Sequence, residues 1–310
     1  MSLYDVLIIG GGPAGLTAAI YGGRAQLKVG MIERFMPGGQ IMSTEWIENY
    51  PGFDEGVSGV DLAQKMEKQA RQFGLEVLSG VIENIWLNKN PKKITIGGRE
   101  LLTKTVIIAT GSNPKLLNVP GEKEFKGKGV SYCATCDAPF FKNKDVIVVG
   151  GGSSGIQESL YLSRFVRSIQ LIEFLDHLNA EPILQKRARE NPKFTFYLNH
   201  RLISINGNQT VKSVTIEDRE TKKQQELNAA GVFIWIGFRP NTDFLEGKLT
   251  LNPEGYIVTK EEMETSIPGV FAIGDVRDKQ VRQITTAVGD GTVAAQSALK
   301  IIENMSKSEV

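Results

Sequence analysis

Both cysteines of the sequence, Cys133 and Cys136, sit in one stretch, SYCATCDAPFF at 131–141, and Asp137 follows them at once. Two thiols at this spacing admit three chemistries. They can pack as small hydrophobes, since free Cys is often buried. They can supply half of a zinc site, which needs two further ligands. The only two histidines, His177 and His200, fit no familiar zinc spacing, and no metal is expected. They can also close and open a small disulfide, because this motif lowers a thiol pKa toward neutrality. Confinement of both cysteines to one motif favours the redox dithiol. The motif alone does not say what exchanges electrons with it.

An internal repeat supplies a candidate. Residues 5–33, DVLIIGGGPAGLTAAIYGGRAQLKVGMIE, align without a gap on residues 145–173, DVIVVGGGSSGIQESLYLSRFVRSIQLIE, and 10 of the 29 positions are identical. Each copy is an apolar run, a G-x-G-x-x-G, a helix-like segment, a second apolar run and a terminal glutamate. That is the full context of a dinucleotide fingerprint. Gly10 and Gly150 make the turn. Gly12 and Gly152 let a pyrophosphate approach a helix N-terminus, and Gly15 and Gly155 let the helix pack on the strand. Glu33 and Glu173 stand where a carboxylate accepts from the hydroxyls of an adenosine ribose. The alternative is a pair of α/β turns with no ligand. A pyridine nucleotide moves two electrons as hydride, whereas thiols exchange them by thiolate attack. A flavin mediates between the two, so FAD is the natural occupant of the first site.

The elements that must position these groups are two α/β units. At 310 residues the chain is long enough for two domains with separate cores. Apolar content of 41% and charged content of 23% are ordinary for a globular protein. Thirty-six basic and 35 acidic residues leave no basic surplus for nucleic acid or an anionic membrane. The opening MSLYDVLIIG lacks a basic region ahead of its apolar run, so no signal peptide is expected. No apolar run reaches the length of a membrane span. A reducing cytoplasm is the expected compartment.

Several further motifs, in order, resemble the low-molecular-weight thioredoxin reductases over nearly the whole chain. They are GGGPAG (10–15), PGGQ (37–40), ENYPG (48–52), ATG (109–111), CATCD (133–137), GGGSSG (150–155), GVFAIGDV (269–276) and RQITTAVGDG (282–291). The resemblance implies two Rossmann-like, doubly wound, three-layer domains, the second inserted in the first. The FAD domain would comprise 1–115 and 245–310, and the pyridine-nucleotide domain with CATC 116–244. It implies that Cys136 faces the flavin, that Cys133 attacks the partner, and that Asp137 gives a proton to the leaving thiolate. An N-cap for the following segment is the alternative role of Asp137. Gly10, Gly12, Pro13, Ala14, Gly15, Glu33, Gly39 and Gly111 would hold FAD. Asp275 would bond its ribityl chain, Arg282 and Gln283 would lie along flavin and phosphates, and Gln40 and Asn49 near the isoalloxazine. Phe35, Met36 and Met42 are expected to pack rather than to line the site. Thioredoxin is the implied partner and a homodimer the implied assembly.

Two departures from that pattern stand out. Ala138 follows CATCD where the family has Gly. Where NADPH-using members carry His-Arg-Arg-x-x-x-Arg-Ala, residues 173–180 read EFLDHLNA. The arginines that grip a 2′-phosphate are missing, and Glu173 sets a negative charge there. This speaks against NADPH and leaves NADH or another carrier, such as ferredoxin, as donor. A dithiol oxidase using O₂ and a ferredoxin-linked reductase are the alternative functions.

Overall fold

Strand β1 (Leu3–Ile9) is apolar from Val6 onward without alternation, the pattern of a strand covered on both faces. The computed structural model describes residues 3–44, 46–245 and 247–308, leaving out the side chains of Thr135, Cys136, Ser306, Lys307 and Ser308. After β1 come α1 (Pro13–Arg24), β2 (Val29–Glu33), α2 (Gly59–Gln72), β3 (Glu76–Ser79), β4 (Ile82–Trp86), β5 (Lys92–Ile96), β6 (Arg99–Ile108) and β7 (Ser112–Pro114). A second run holds β8 (Val130–Ser131), α3 (Ala134–Asp137), β9 (Asp145–Val149), α4 (Ser153–Leu162), β10 (Ser168–Ile172), α5 (Pro182–Glu190) and β11 (Phe194–Tyr197). It continues through β12 (His200–Gly207), β13 (Val211–Asp218), β14 (Gln224–Asn228), β15 (Gly231–Ile234) and β16 (Phe238–Pro240). Strand β17 (Val270–Ala272) and helix α6 (Ile284–Ser308) close the chain.

These elements form two compact units, Met1–Asn113 with Arg239–Val310, and Pro114–Phe238. In the first, β3, β2, β1 and β6 run parallel in that order. The far edge of β6 is shared. Its first half pairs antiparallel with β5, and its end pairs parallel with β17. Helices α1, α2 and α6 contribute to the core on one face, and β4, β5 and residues 245–276 to the core on the other. The second unit has a parallel sheet in the order β11, β10, β9, β15, β8 and an antiparallel meander of β12, β13 and β14. The fold is therefore α/β with two Rossmann-type units, the second inserted in the first.

The crossings fall at 113/114 and 238/239, earlier than the expected 115/116 and 244/245. Backbone pairing moves them. Strands β7 and β16 bond to each other, and Asn241 then locks onto the first unit: its N–H donates to the Gly111 carbonyl at 2.9 Å, and its side-chain amide to the Thr110 carbonyl at 2.8 Å.

The two halves of the repeat are built alike. The Gly10 N–H donates to Ile32 at 2.9 Å, and the Gly150 N–H to Ile172 at 3.0 Å. A Cβ on Gly15 would stand 2.1 Å from the Gly10 carbonyl oxygen, and one on Gly155 2.2 Å from that of Gly150. Because the obstacle is backbone, no side chain can yield. Gly155→Ala is expected to destabilise the protein by about 1–3 kcal/mol, read as a lower urea midpoint.

Candidate active site

Helix α1 opens on Gly12 with no side-chain cap and with Pro13 in its first turn. Proline at that position has no N–H to satisfy, and the other first-turn donors face outward, the arrangement that receives an anion. A Cβ on Gly12 would meet nothing nearer than the Gly39 Cα at 4.0 Å, so the backbone there is open to close approach. Glu33, at the end of β2, accepts from the Gly11 N–H at 2.7 Å and from the N–H groups of Arg34 and Phe35 at 2.7 and 3.1 Å. These bonds fix the carboxylate beside the glycine loop and leave lone pairs over.

Above this loop lies a cleft of about 850 Å³, a size within the range of ligand sites. Gly10, Gly12, Pro13, Ala14, Glu33 and Gly39 line its loop side. Gln40, Gly111, Asp275 and Gln283 line the rest, so the structure brings together most of the residues that the resemblance assigned to FAD. Gly15 lies under the loop. Asn49 is at the rim, its amide donating to the Gln283 oxygen at 3.2 Å. The Gln40 amide donates to the Ser112 carbonyl. Arg282 stacks over Tyr256 at 3.9 Å, and its Nε is buried with no hydrogen-bond partner among the described residues. The open backbone at Gly12 and Gly111 and the size of the cleft fit FAD. Phe35, Met36 and Met42 correct an expectation: all three line the cleft, Phe35 and Met36 being 78% and 62% exposed. The turn through Gly38 and Gly39, both at positive φ, leaves Phe35 and Met36 outside the core, whereas Met42 lines the cleft and packs against the core as well.

The second cradle repeats the first. Helix α4 opens on Gly152, again without a side-chain cap, and a Cβ there would meet nothing within 4 Å. Glu173 is buried and accepts from the Gly151 N–H and, at 2.9 Å, from the Leu175 N–H. Leu178 is buried against Gly151, while Phe174 and Leu175 are exposed. His177 is exposed beside Asp176 at 2.6 Å, and half-buried His200 lies 2.6 Å from the Leu198 carbonyl.

Cys133 is disulfide-bonded at the start of α3. Its N–H donates to the Ser131 hydroxyl, which in turn donates to its carbonyl, both at 3.1 Å. Cys136 lies on α3, with its side chain outside the described residues. Asp137 stands at the N-cap position of the next turn but makes no side-chain cap bond. It lines a cleft of about 840 Å³ with exposed Phe140 and with Lys128, Lys144 and Lys212. Ala138, in place of the family's glycine, is buried and is not among the residues with positive φ, so its Cβ meets no backbone strain.

The family model of the pyridine nucleotide-disulphide oxidoreductases matches residues 4–291. Thioredoxin reductase of Bacillus subtilis is 46% identical over 307 residues, covering 99% of this chain and 97% of that protein. The chain belongs to the thioredoxin reductases. The same enzyme of Peptoclostridium acidaminophilum is 44% identical, with 97% and 98% covered. The crystal structure of Lactococcus lactis thioredoxin reductase superimposes with a TM-score of 0.94 at 43% identity, covering 97% of this chain and 99% of that one. As a thioredoxin reductase homologue the chain is a flavoprotein disulfide oxidoreductase, and its family implies FAD and a pyridine nucleotide.

Two clusters of this thioredoxin reductase homologue escaped the reading of its sequence. Glu122 is buried and accepts from the N–H groups of Leu117 and Asn118 at 2.9 and 2.6 Å and from the Tyr132 hydroxyl at 2.7 Å. Burial, then the bond to Glu122 and its charge, push the Tyr132 hydroxyl well above its usual pKa. An acidic residue in a loop gave no sign of this. Asp290, buried on α6, accepts from the Gly274 N–H at 3.0 Å, from Arg277 at 3.1 Å and from Lys279 at 3.0 Å, fixing the loop that carries Asp275. Its place between two glycines of RQITTAVGDG was the available sign.

Burial raises the Asp275 pKa, as does the Asp290 charge, while Lys279 and Arg282 pull it down. A carboxyl with a raised folded pKa contributes stability that is lost as pH rises through that pKa. In flavin-free protein, Asp275→Asn is therefore expected to raise the denaturation midpoint relative to wild type at pH 7. The gain should vanish below about pH 4, where the unfolded aspartate is also protonated. Equal midpoint differences at both pH values would contradict it.

Proposed function

We propose that this chain reduces the disulfide of a thioredoxin with electrons that come from NADH through FAD to the Cys133–Cys136 pair. The observation that carries the donor assignment is Glu173. Two backbone N–H groups hold its carboxylate at the edge of the second glycine loop, with lone pairs left for ribose hydroxyls. A 2′-phosphate there would set like charge on like charge, and the segment from Phe174 to Ala180 carries no arginine. Arg219, which reaches the Phe174 carbonyl from the turn after β13, spends its Nη1 on protein oxygens. In a poorly solvated cleft that costs on the order of several kcal/mol.

FAD, when bound, supplies the exchange between hydride and dithiol chemistry. In this reading the loop from Gly10 to Gly15 receives its pyrophosphate and Glu33 its ribose. Asp275 bonds the ribityl chain, Arg282 and Gln283 lie along the flavin and its phosphates, and Gln40 and Asn49 approach the ring. The second unit takes the nicotinamide nucleotide on Gly150, Gly152, Gly155 and Glu173. Once the pair is reduced, the Cys133 thiolate attacks one sulfur of the partner disulfide, forming a mixed disulfide and expelling a partner thiolate. Asp137 gives that thiolate its proton. Cys136 then attacks the Cys133 sulfur, releasing the second partner thiol and closing the pair. Two electrons pass, and the partner ends as a dithiol. Lack of a cap bond supports the acid role of Asp137, since capping is its alternative role and the residue lines a cleft.

Anaerobic titration followed by flavin absorbance tests the donor. NADH is expected to bleach the flavin and NADPH to fail. Bleaching by NADPH at equal efficiency, or by reduced ferredoxin alone, would overturn the assignment. Cys133→Ser should abolish thioredoxin reduction while NADH still bleaches the flavin. Asp137→Asn should slow turnover about tenfold or more, because general-acid help is lost. Peroxide formation from a dithiol and O₂, with no thioredoxin reduction, would point to an oxidase instead.

A further inference from the structure

Phe174, the first residue past Glu173, is exposed, yet it is not alone. The guanidinium of Arg219, at the turn after β13, lies 3.6 Å from the centre of its ring. The same Arg219 donates through Nη1 to the Phe174 carbonyl at 2.9 Å and to the Asn199 side-chain oxygen at 3.2 Å. Its own N–H donates to the Asn199 carbonyl at 2.9 Å, so backbone and side chain are both anchored. Its charge is also felt by Asp176. An arginine at a hairpin tip would ordinarily wave in solvent. Here three hydrogen bonds and a ring contact hold it in one orientation beside the nucleotide loop.

A dinucleotide on a glycine loop of this kind carries its adenine beyond the ribose that the glutamate receives. In this unit the side chains found there are Phe174 and, stacked on it, Arg219. Both are planar, and a purine stacks on aromatic faces and on guanidinium planes. We propose that the Phe174–Arg219 stack is the adenine platform of the second site, and that Arg219 acts there as a specificity-determining residue for adenine nucleotides in general rather than as a clamp for a 2′-phosphate. The proposal rests on the reading of this unit as the pyridine-nucleotide site. The clamp role is disfavoured because Glu173 stands next to the position a 2′-phosphate would take and Nη1, two of the five guanidinium donors, is spent on the Phe174 carbonyl and Asn199.

Direct binding to the full-length, flavin-loaded protein tests this, with calorimetric Kd values for NADH, NADPH and AMP in wild type, Arg219→Ala, Arg219→Lys and Phe174→Leu. Arg219→Ala is expected to weaken every adenine nucleotide that wild type binds by a similar factor of about ten, the loss of one stacked contact. Arg219→Lys should not restore it, since an ammonium has no plane. Phe174→Leu should weaken binding in the same direction, which covers the case in which Arg219→Ala does not fold. Unchanged Kd values in Arg219→Ala, with or without a lower melting temperature, overturn the platform. So does a loss confined to NADPH, which would make Arg219 a phosphate clamp. Wild type that prefers NADPH, with equal losses for all nucleotides in Arg219→Ala, would sink the NADH assignment and sustain the platform. Wild type that binds no adenine nucleotide sinks both.

Discussion

In both halves of the repeat, a helix is pressed so close to the end of a strand that no side chain fits between them. The Gly10 carbonyl oxygen occupies the space a Cβ of Gly15 would need, and the Gly150 carbonyl that of Gly155. That approach aims each helix N-terminus along the strand and leaves its first N–H groups facing outward. It also brings the loop N–H of Gly11 within reach of Glu33, and that of Gly151 within reach of Glu173. Cradle, carboxylate and helix dipole are thus consequences of one steric fact. The apolar strands around them serve to hold that contact rigid.

Much of this was legible because it is local. Glycine spacing, the apolar runs of β1, β2, β9 and β10 and the terminal glutamates all lie within 29 residues of one another in each copy, and their roles follow from chain geometry. What could not be read depends on partners far apart in sequence. Arg219 meets Phe174 only because β12, whose His200 N–H bonds back to the Glu173 carbonyl, pairs antiparallel with β13 and returns the chain there. Asp290 meets Gly274, Arg277 and Lys279 only after α6 folds back on the loop. Phe35 and Met36 are apolar, and apolar residues more often pack than line a site. Their exposure follows from two positive-φ glycines whose direction the sequence does not state.

The segment entering the dithiol shows how buried charge is made tolerable. An isolated buried carboxylate is costly, and the usual remedy is a full set of donors. Glu122 collects two backbone N–H groups and a phenol, with no cation among them. The result ties residues 117–118 to Tyr132, the immediate neighbour of Cys133. Ser131 adds a reciprocal pair of bonds to Cys133 itself. The approach to Cys133 is therefore fixed by hydrogen bonds in a stretch too short for regular structure to fix it.

The paired crossings, β7 with β16, have a meaning beyond this one chain. Within the inserted unit, the Lys115 N–H donates to the Gly237 carbonyl at 2.8 Å, so the insert's two ends are bonded neighbours. To the surrounding fold, 125 residues from Pro114 to Phe238 look like a tight turn. The entropy of closing so long a loop is settled inside the insert itself. Such a segment is a cassette. Recombination at those two points would exchange residues 114–238 as one block and leave the register of the host sheet untouched.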